Sequence, residues 1–205
     1  MKKFELTNEF IANRFGTKLF RIRALVEFGD VEAGELGGYV EKESNLGHDD
    51  NAWVYDNAWV YGNARVYGDA QVSGDARVYD NAWVYGDAQV SGDARVYDNA
   101  RVYGNAWVYG NAWVYGNALV CSDEDYAYAH GFGSVNRTTT FFRLKDGGVG
   151  VRCGCFYGTL AQFRDKIRET HGETKKAQEY LMLADLMELR FEEDENEVGN
   201  RKYVE

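Results

Sequence analysis

Between residues 51 and 122 the chain follows one pattern of apolar and polar positions. Valine occupies every sixth position from Val54 to Val120, twelve times without a miss, and alanine stands two residues before each one, from Ala52 to Ala118. In an extended segment such as Ala58-Trp59-Val60-Tyr61, alternation sends Ala58 and Val60 to one side and Trp59 and Tyr61 to the other. The Gly, Asn and Asp residues that follow tolerate the left-handed backbone a tight corner needs. Segment 66–83 returns as 84–101 with a single change, Trp83 against Arg101, so the duplicated unit is 18 residues. Three strand-and-corner units per repeat predict one turn of a triangular parallel solenoid, with Val stacked on Val and Ala on Ala in a narrow dry core.

The pattern lapses on both sides. Residues 1–50 read as an N-terminal β-rich cap. Leu19–Leu25 alternates as a strand, and Val40 and Leu46, six apart, lead into the repeat. The longer step from Leu46 to Val54 makes room for a bulged corner at Gly47-His48-Asp49-Asp50. Residues 51–122 give four regular coils. Residues 123–205 read as a C-terminal α+β cap. Tyr126–Tyr128 continues a coil, two strands flank the turn Asp146-Gly147-Gly148, and Thr159 and Gln162 have capping-box spacing for a helix that Gly172 stops. Thr174 caps a second helix carrying Ala177, Tyr180, Leu181, Ala184, Met187 and Leu189, and an acidic tail runs from Glu192 to Glu197. The bland role of both flanks is to cover strand edges at the solenoid's ends.

The outward positions sort onto three faces. The first carries Trp53/Tyr55, Gln71/Ser73, Gln89/Ser91 and Trp107/Tyr109: a small polar floor between two aromatic walls three coil steps, about 14 Å, apart. This notch is the candidate binding site for a protruding loop or a small planar ligand. The second carries Trp59/Tyr61, Arg77/Tyr79, Arg95/Tyr97 and Trp113/Tyr115, and the third Arg65/Tyr67, Trp83/Tyr85, Arg101/Tyr103 and Leu119/Cys121. Stacking between strands accounts for a tyrosine ladder on its own. Flat apolar patches rich in Trp, Tyr and Arg also mark interaction surfaces, so the second face is the candidate oligomer or partner face.

The repeat resembles the hexapeptide-repeat, left-handed parallel β-helix proteins, and that resemblance is what implies the left hand. The best-known enzymes of that group are acyltransferases using acetyl-CoA or acyl carriers. Their chemistry needs a histidine base near a coil edge, whereas the coils here hold no histidine and no interruption. Zinc sites of the related carbonic anhydrases take three histidines from neighbouring coils, which the positions of His48, His130 and His171 do not supply. The layout as a whole also resembles a group of proteins common in phages and prophages, through FRIRALVEFGDVEAGELGGYVEKESNL before the repeats and CGCFYGTLAQFRDKIRETHG after them. That likeness implies a viral origin and settles no activity.

Composition narrows the partners. A formal charge of −10, with the acidic excess spread over caps and coils alike, argues against direct DNA or anionic-membrane binding. MKKFELTNEF has no apolar run of a signal peptide, no stretch is long enough to span a bilayer, and three cysteines make no disulfide framework, which together predict the cytoplasm of a bacterial host. Cys153-Gly154-Cys155 lacks the four ligands of a structural zinc site and reads as ordinary thiols. The expectation is a mainly β, non-enzymatic phage-derived scaffold that binds or sequesters a host protein, with no catalytic residues, cofactor or metal. It is also expected to assemble as a dimer or trimer. The alternatives are a purely structural self-assembling module and an acyltransferase of the hexapeptide-repeat type.

Overall fold

The computed structural model describes residues 1–132 and 137–192. Most of the acidic tail therefore lies outside the described residues. The chain is mainly β. A hairpin of β1 (Phe4–Ala12) and β2 (Lys18–Ala24) continues into β3 (Leu36–Val40), which begins the solenoid. Twelve two-residue strands follow, β4 (Trp53–Val54) to β15 (Leu119–Val120), three to a coil. They stack as three parallel sheets with an 18-residue register, for example Val54 on Val72 on Val90 on Val108. Val40 pairs with Val60 and Leu46 bridges to Val66, so the leading coil is offset by two further residues, which the Gly47–Asp50 corner absorbs.

The interior is as dry as the pattern requires. Every Val from 54 to 120 and every Ala from 52 to 118 is at most 1% exposed. Corners turn through left-handed backbone at glycine and at Asp56, Asp80 and Asp98, whose φ values are 52°, 58° and 58°. Glycine is needed most where corners stack: a Cβ on Gly68 would lie 2.8 Å from the backbone nitrogen of Gly86.

A parallel stack leaves backbone groups unpaired at each end, and side chains take them up. At the N-terminal end the buried Lys3 ammonium donates to the carbonyls of Asp50 (2.7 Å) and Ala52 (2.8 Å). The fully buried Asn45 amide donates to those of Gly62 (3.2 Å) and Ala64 (2.8 Å). At the C-terminal end Asp123 accepts the Trp107 N–H at 2.7 Å and the Thr140 hydroxyl accepts the Trp113 N–H at 3.1 Å. The Tyr126 hydroxyl stands in for a whole backbone residue. It donates to the Trp107 carbonyl at 2.6 Å and accepts the Tyr109 N–H at 3.3 Å.

The C-terminal cap is an antiparallel sheet of β16 (Tyr126–Phe132), β17 (Arg137–Arg143), β18 (Val149–Cys153) and β19 (Phe156–Thr159). Two helices, α1 (Leu160–His171) and α2 (Lys175–Phe191), pack on it through Phe141, Val151, Phe163 and Tyr180. Thr159 and Gln162 form the expected capping box and Thr174 caps α2. Tyr126–Tyr128 does not continue a coil. It runs antiparallel to β17, because Asp125 turns the chain first: its carboxylate accepts from the backbone of Cys121 (3.0 Å) and Ser122 (3.2 Å) and pairs with buried Arg143 at 3.0 Å. Among the described residues no helix is long and apolar enough to cross a membrane.

Tyr126→Phe removes both bonds at once and strands two backbone groups at the sheet edge. The expected cost is about 1–3 kcal/mol, read from the denaturation midpoint. Amide exchange should quicken at Tyr109 and stay slow at Ser73, deep in the stack.

Candidate functional site

The first face lies on the sheet β4–β7–β10–β13, where Trp53, Gln71, Gln89 and Trp107 sit in register one above another. Tyr55, Ser73, Ser91 and Tyr109 follow them along the same coils. The structure brings all eight onto one surface but does not leave them equally accessible. Trp53 is fully buried. The N-terminal cap folds over it, with Phe28 edge-on at 5.3 Å and Phe4 at 6.2 Å. It therefore belongs to the joint between cap and solenoid and is no wall of a notch. Its indole N–H is buried without a hydrogen-bond partner among the described residues.

The other wall is open. Trp107 is 48% and Tyr109 43% exposed, and their rings lie 5.3 Å apart. Both are firmly mounted. The Trp107 indole donates to the Ser91 hydroxyl at 3.2 Å, while Tyr109 meets Tyr126 and Tyr128 edge-on at 6.3 Å and 5.9 Å. Below them Gln89 is exposed, and Gln71, Ser73 and Ser91 are half-buried. Above them the face runs into a depression of about 470 Å³ lined by Tyr109, Asp123, Tyr128 and Arg190. Sequence reasoning missed this upper part because Arg190 comes from α2; its guanidinium reaches the Asp123 carbonyl at 3.0 Å.

The second face is a closed ladder. Tyr61, Tyr79, Tyr97 and Tyr115 stack at 5.0, 4.8 and 4.6 Å with interplanar angles of 3°, 2° and 11°. Arg77 lies over Trp59 at 4.2 Å and Arg95 over Trp113 at 4.6 Å. Tyr115, expected on the partner face, is buried: Tyr157 covers it at 4.5 Å and Phe142 meets it edge-on at 6.0 Å. The rest of this face shows ring edges, with the ring faces occupied by neighbours. The third face is built alike, Tyr67, Tyr85 and Tyr103 stacking at 5.0 and 5.1 Å while Arg65 and Arg101 flank Trp83.

The histidines stand apart. His48 stacks on Phe4 at 4.4 Å and accepts the Lys3 N–H, His130 meets the Thr138 hydroxyl, and His171 stacks on Tyr180. Among the described residues no three His, Cys, Asp or Glu side chains are placed to share a metal ion. The Cys121 thiol donates to Asp125 at 2.8 Å, half-buried Cys153 accepts from the Thr139 hydroxyl at 3.2 Å, and Cys155 is exposed at the β18–β19 turn.

Five stretches, 58–70, 70–86, 88–102, 94–110 and 100–116, match a family model described as the YdcK beta solenoid repeat. All fall inside the coils and none reaches either cap. With the parallel 18-residue stacking, they make this chain a β-solenoid repeat protein. No curated protein matches it.

Burial holds the phenols of Tyr61, Tyr79, Tyr97 and Tyr115 above their ordinary value of 10.0. A raised folded-state value means that the unfolded chain releases these protons first as pH climbs. The stability they contribute is whole below pH 10.0 and is lost above it. Phenolate absorbance should therefore show these tyrosines ionising together with loss of the β-sheet circular dichroism signal. Free ionisation near pH 10 with the fold intact would contradict the packing.

Proposed function

We propose that the protein is a non-enzymatic binding scaffold whose recognition surface is the C-terminal half of the first face. Trp107 and Tyr109 are its anchors, Gln89 and Ser91 its hydrogen-bonding floor. The observation that carries this reading is the contrast among aromatic rings. Those of the second and third faces are packed ring on ring, whereas Trp107 and Tyr109 stand nearly half exposed at fixed positions. Rigid exposed aromatics beside hydrogen-bonding groups contribute contact area at little entropic cost, as binding hot spots do. The likeness of the chain to proteins of phages and prophages supports a host protein as the partner. It also supports blocking or sequestration in the host cytoplasm, for instance of an antiviral component, as the outcome.

A second reading, self-assembly, is favoured by α2. Met182, Leu186 and Leu189 are 71%, 54% and 67% exposed, and their spacing puts them on one side of the helix. The acyltransferase reading, suggested by the hexapeptide-repeat likeness, has no histidine in the four regular coils to serve as base, and His48, in the corner of the leading coil, is engaged by Phe4 and the Lys3 N–H of the cap.

Pull-down from host lysate beside light scattering separates these readings. Trp107→Ala should weaken capture of a stoichiometric host protein by about 2 kcal/mol or more, roughly thirtyfold, with the mass of the free protein unchanged. Loss of a defined oligomer on Leu186→Glu, with capture untouched by Trp107→Ala, would transfer the role to α2. Protection against thermal unfolding by acetyl-CoA would revive acyl transfer.

A further inference from the structure

A second site lies between the last coil and the C-terminal cap, away from the first face. A cavity of about 260 Å³ opens there, lined by Asn111 and Trp113 of the solenoid and by Arg137, Thr138, Thr140 and Arg152 of the cap sheet. None of the described residues that line it is acidic, in a chain whose formal charge is −10. Arg137 and Arg152 form no ion pair among the described residues, although other arginines of the same cap, Arg143 and Arg164, are paired.

The Arg152 guanidinium is held in place, and that of Arg137 lies near it on the cavity wall. Arg152 lies over the Trp113 indole at 4.9 Å and donates to the Phe156 carbonyl at 3.3 Å, while its Nε is buried with no hydrogen-bond partner among the described residues. Arg137 is seated against the turn glycine Gly154, whose φ is +60°; a Cβ there would collide with the guanidinium. The register of β17 on β18 sets Thr140 opposite Arg152. The Thr140 hydroxyl is engaged by the Trp113 N–H and the Thr138 hydroxyl by His130. Each hydroxyl oxygen can still serve a further hydrogen bond. As a lid on the tyrosine ladder, Arg152 needs only its stacked face. That role does not explain why a second guanidinium, that of Arg137, lines the same cavity.

We infer that this cavity is a binding site for a phosphate-type oxyanion, held between the guanidinium groups of Arg137 and Arg152. Two cationic forks, that of Arg152 stacked on an indole, with hydroxyl and amide donors around them match a dianion with several acceptor oxygens, and they exceed what a single carboxylate uses. The volume, about 260 Å³, admits a phosphate or a small phosphate monoester.

The test is titration of the full-length protein, labelled at the arginine side chains, with inorganic phosphate and separately with glycerol phosphate, at constant ionic strength. The Arg152 Nε–H resonance should move saturably, with a Kd of about 1 mM or tighter. Arg137→Ala should weaken binding at least about tenfold while leaving the melting temperature unchanged, because Arg137 is exposed and forms no ion pair among the described residues. Arg152→Lys, which keeps the charge and loses the fork, should weaken it likewise. Tighter binding of the monoester would identify a phosphorylated small molecule as the occupant, and equal or weaker binding would identify the free ion. The inference fails if the resonance does not saturate, if chloride moves it equally, or if Arg137→Ala binds phosphate as well as the original protein.

Discussion

A stack of two-residue strands has open edges at both ends, and the rest of the molecule answers to them. Inside the stack each coil satisfies its neighbours, and identical Val and Ala layers need nothing else. At the ends an unpaired buried N–H or C=O costs as much as a lost hydrogen bond, and an exposed row of them invites another strand. The caps meet this with side chains. Lys3 and Asn45 supply donors to carbonyls at one end, and Asp123, Thr140 and the two-way hydroxyl of Tyr126 finish the other. The buried Asp125–Arg143 pair then fixes the turn that delivers Tyr126 to its place.

Stacking also decides which aromatic surface can act. An 18-residue repeat sets equivalent side chains one strand spacing apart, the thickness of a stacked ring pair, so a tyrosine column closes on itself and shows only its edges. A free ring face appears where a column is interrupted. On the first face Ser73 and Ser91 break the tyrosine column and Gln71 and Gln89 break the tryptophan column, which leaves Trp107 and Tyr109 without an aromatic neighbour below. The same exact repetition that makes the core thus makes its one departure conspicuous. The N-terminal copy of the pair escapes only because the cap covers it.

This explains what could be read from the sequence. The six-residue valine period gives the coils, the Gly and Asp corners give the turns, and the Thr159 and Thr174 caps give the helix starts, because each is a local rule. Burial of Trp53 and Tyr115 was not legible. Alternation tells which side of a sheet a residue takes, and the cap residues over these two, Phe28 and Tyr157, come from segments with no repeat to align them. Tyr126-Ala127-Tyr128 imitates the coil's own alternation, so nothing local marks it as the start of an antiparallel strand. On α2 the apolar spacing groups Leu189 with the buried stripe, whereas it lies beside Met182 and Leu186 on a second, exposed side, because one stripe already suffices to bury a helix.

The arginines complete the picture. Arg77 and Arg95 are in register on adjacent strands, where like charges repel. The column reads Trp59, Arg77, Arg95, Trp113, so each guanidinium leans outward onto its own indole and away from the other. On the third face Trp83 serves two arginines, Arg65 and Arg101, from its two sides. These Trp and Arg residues, which by composition suggest a binding surface, are thus already spent on one another. Arg152 extends the second-face column beyond Trp113, but there the stack ends, and it lines, with Arg137, a cavity instead of a further coil. In a repeat that satisfies itself internally, free chemistry is left at the places where repetition stops.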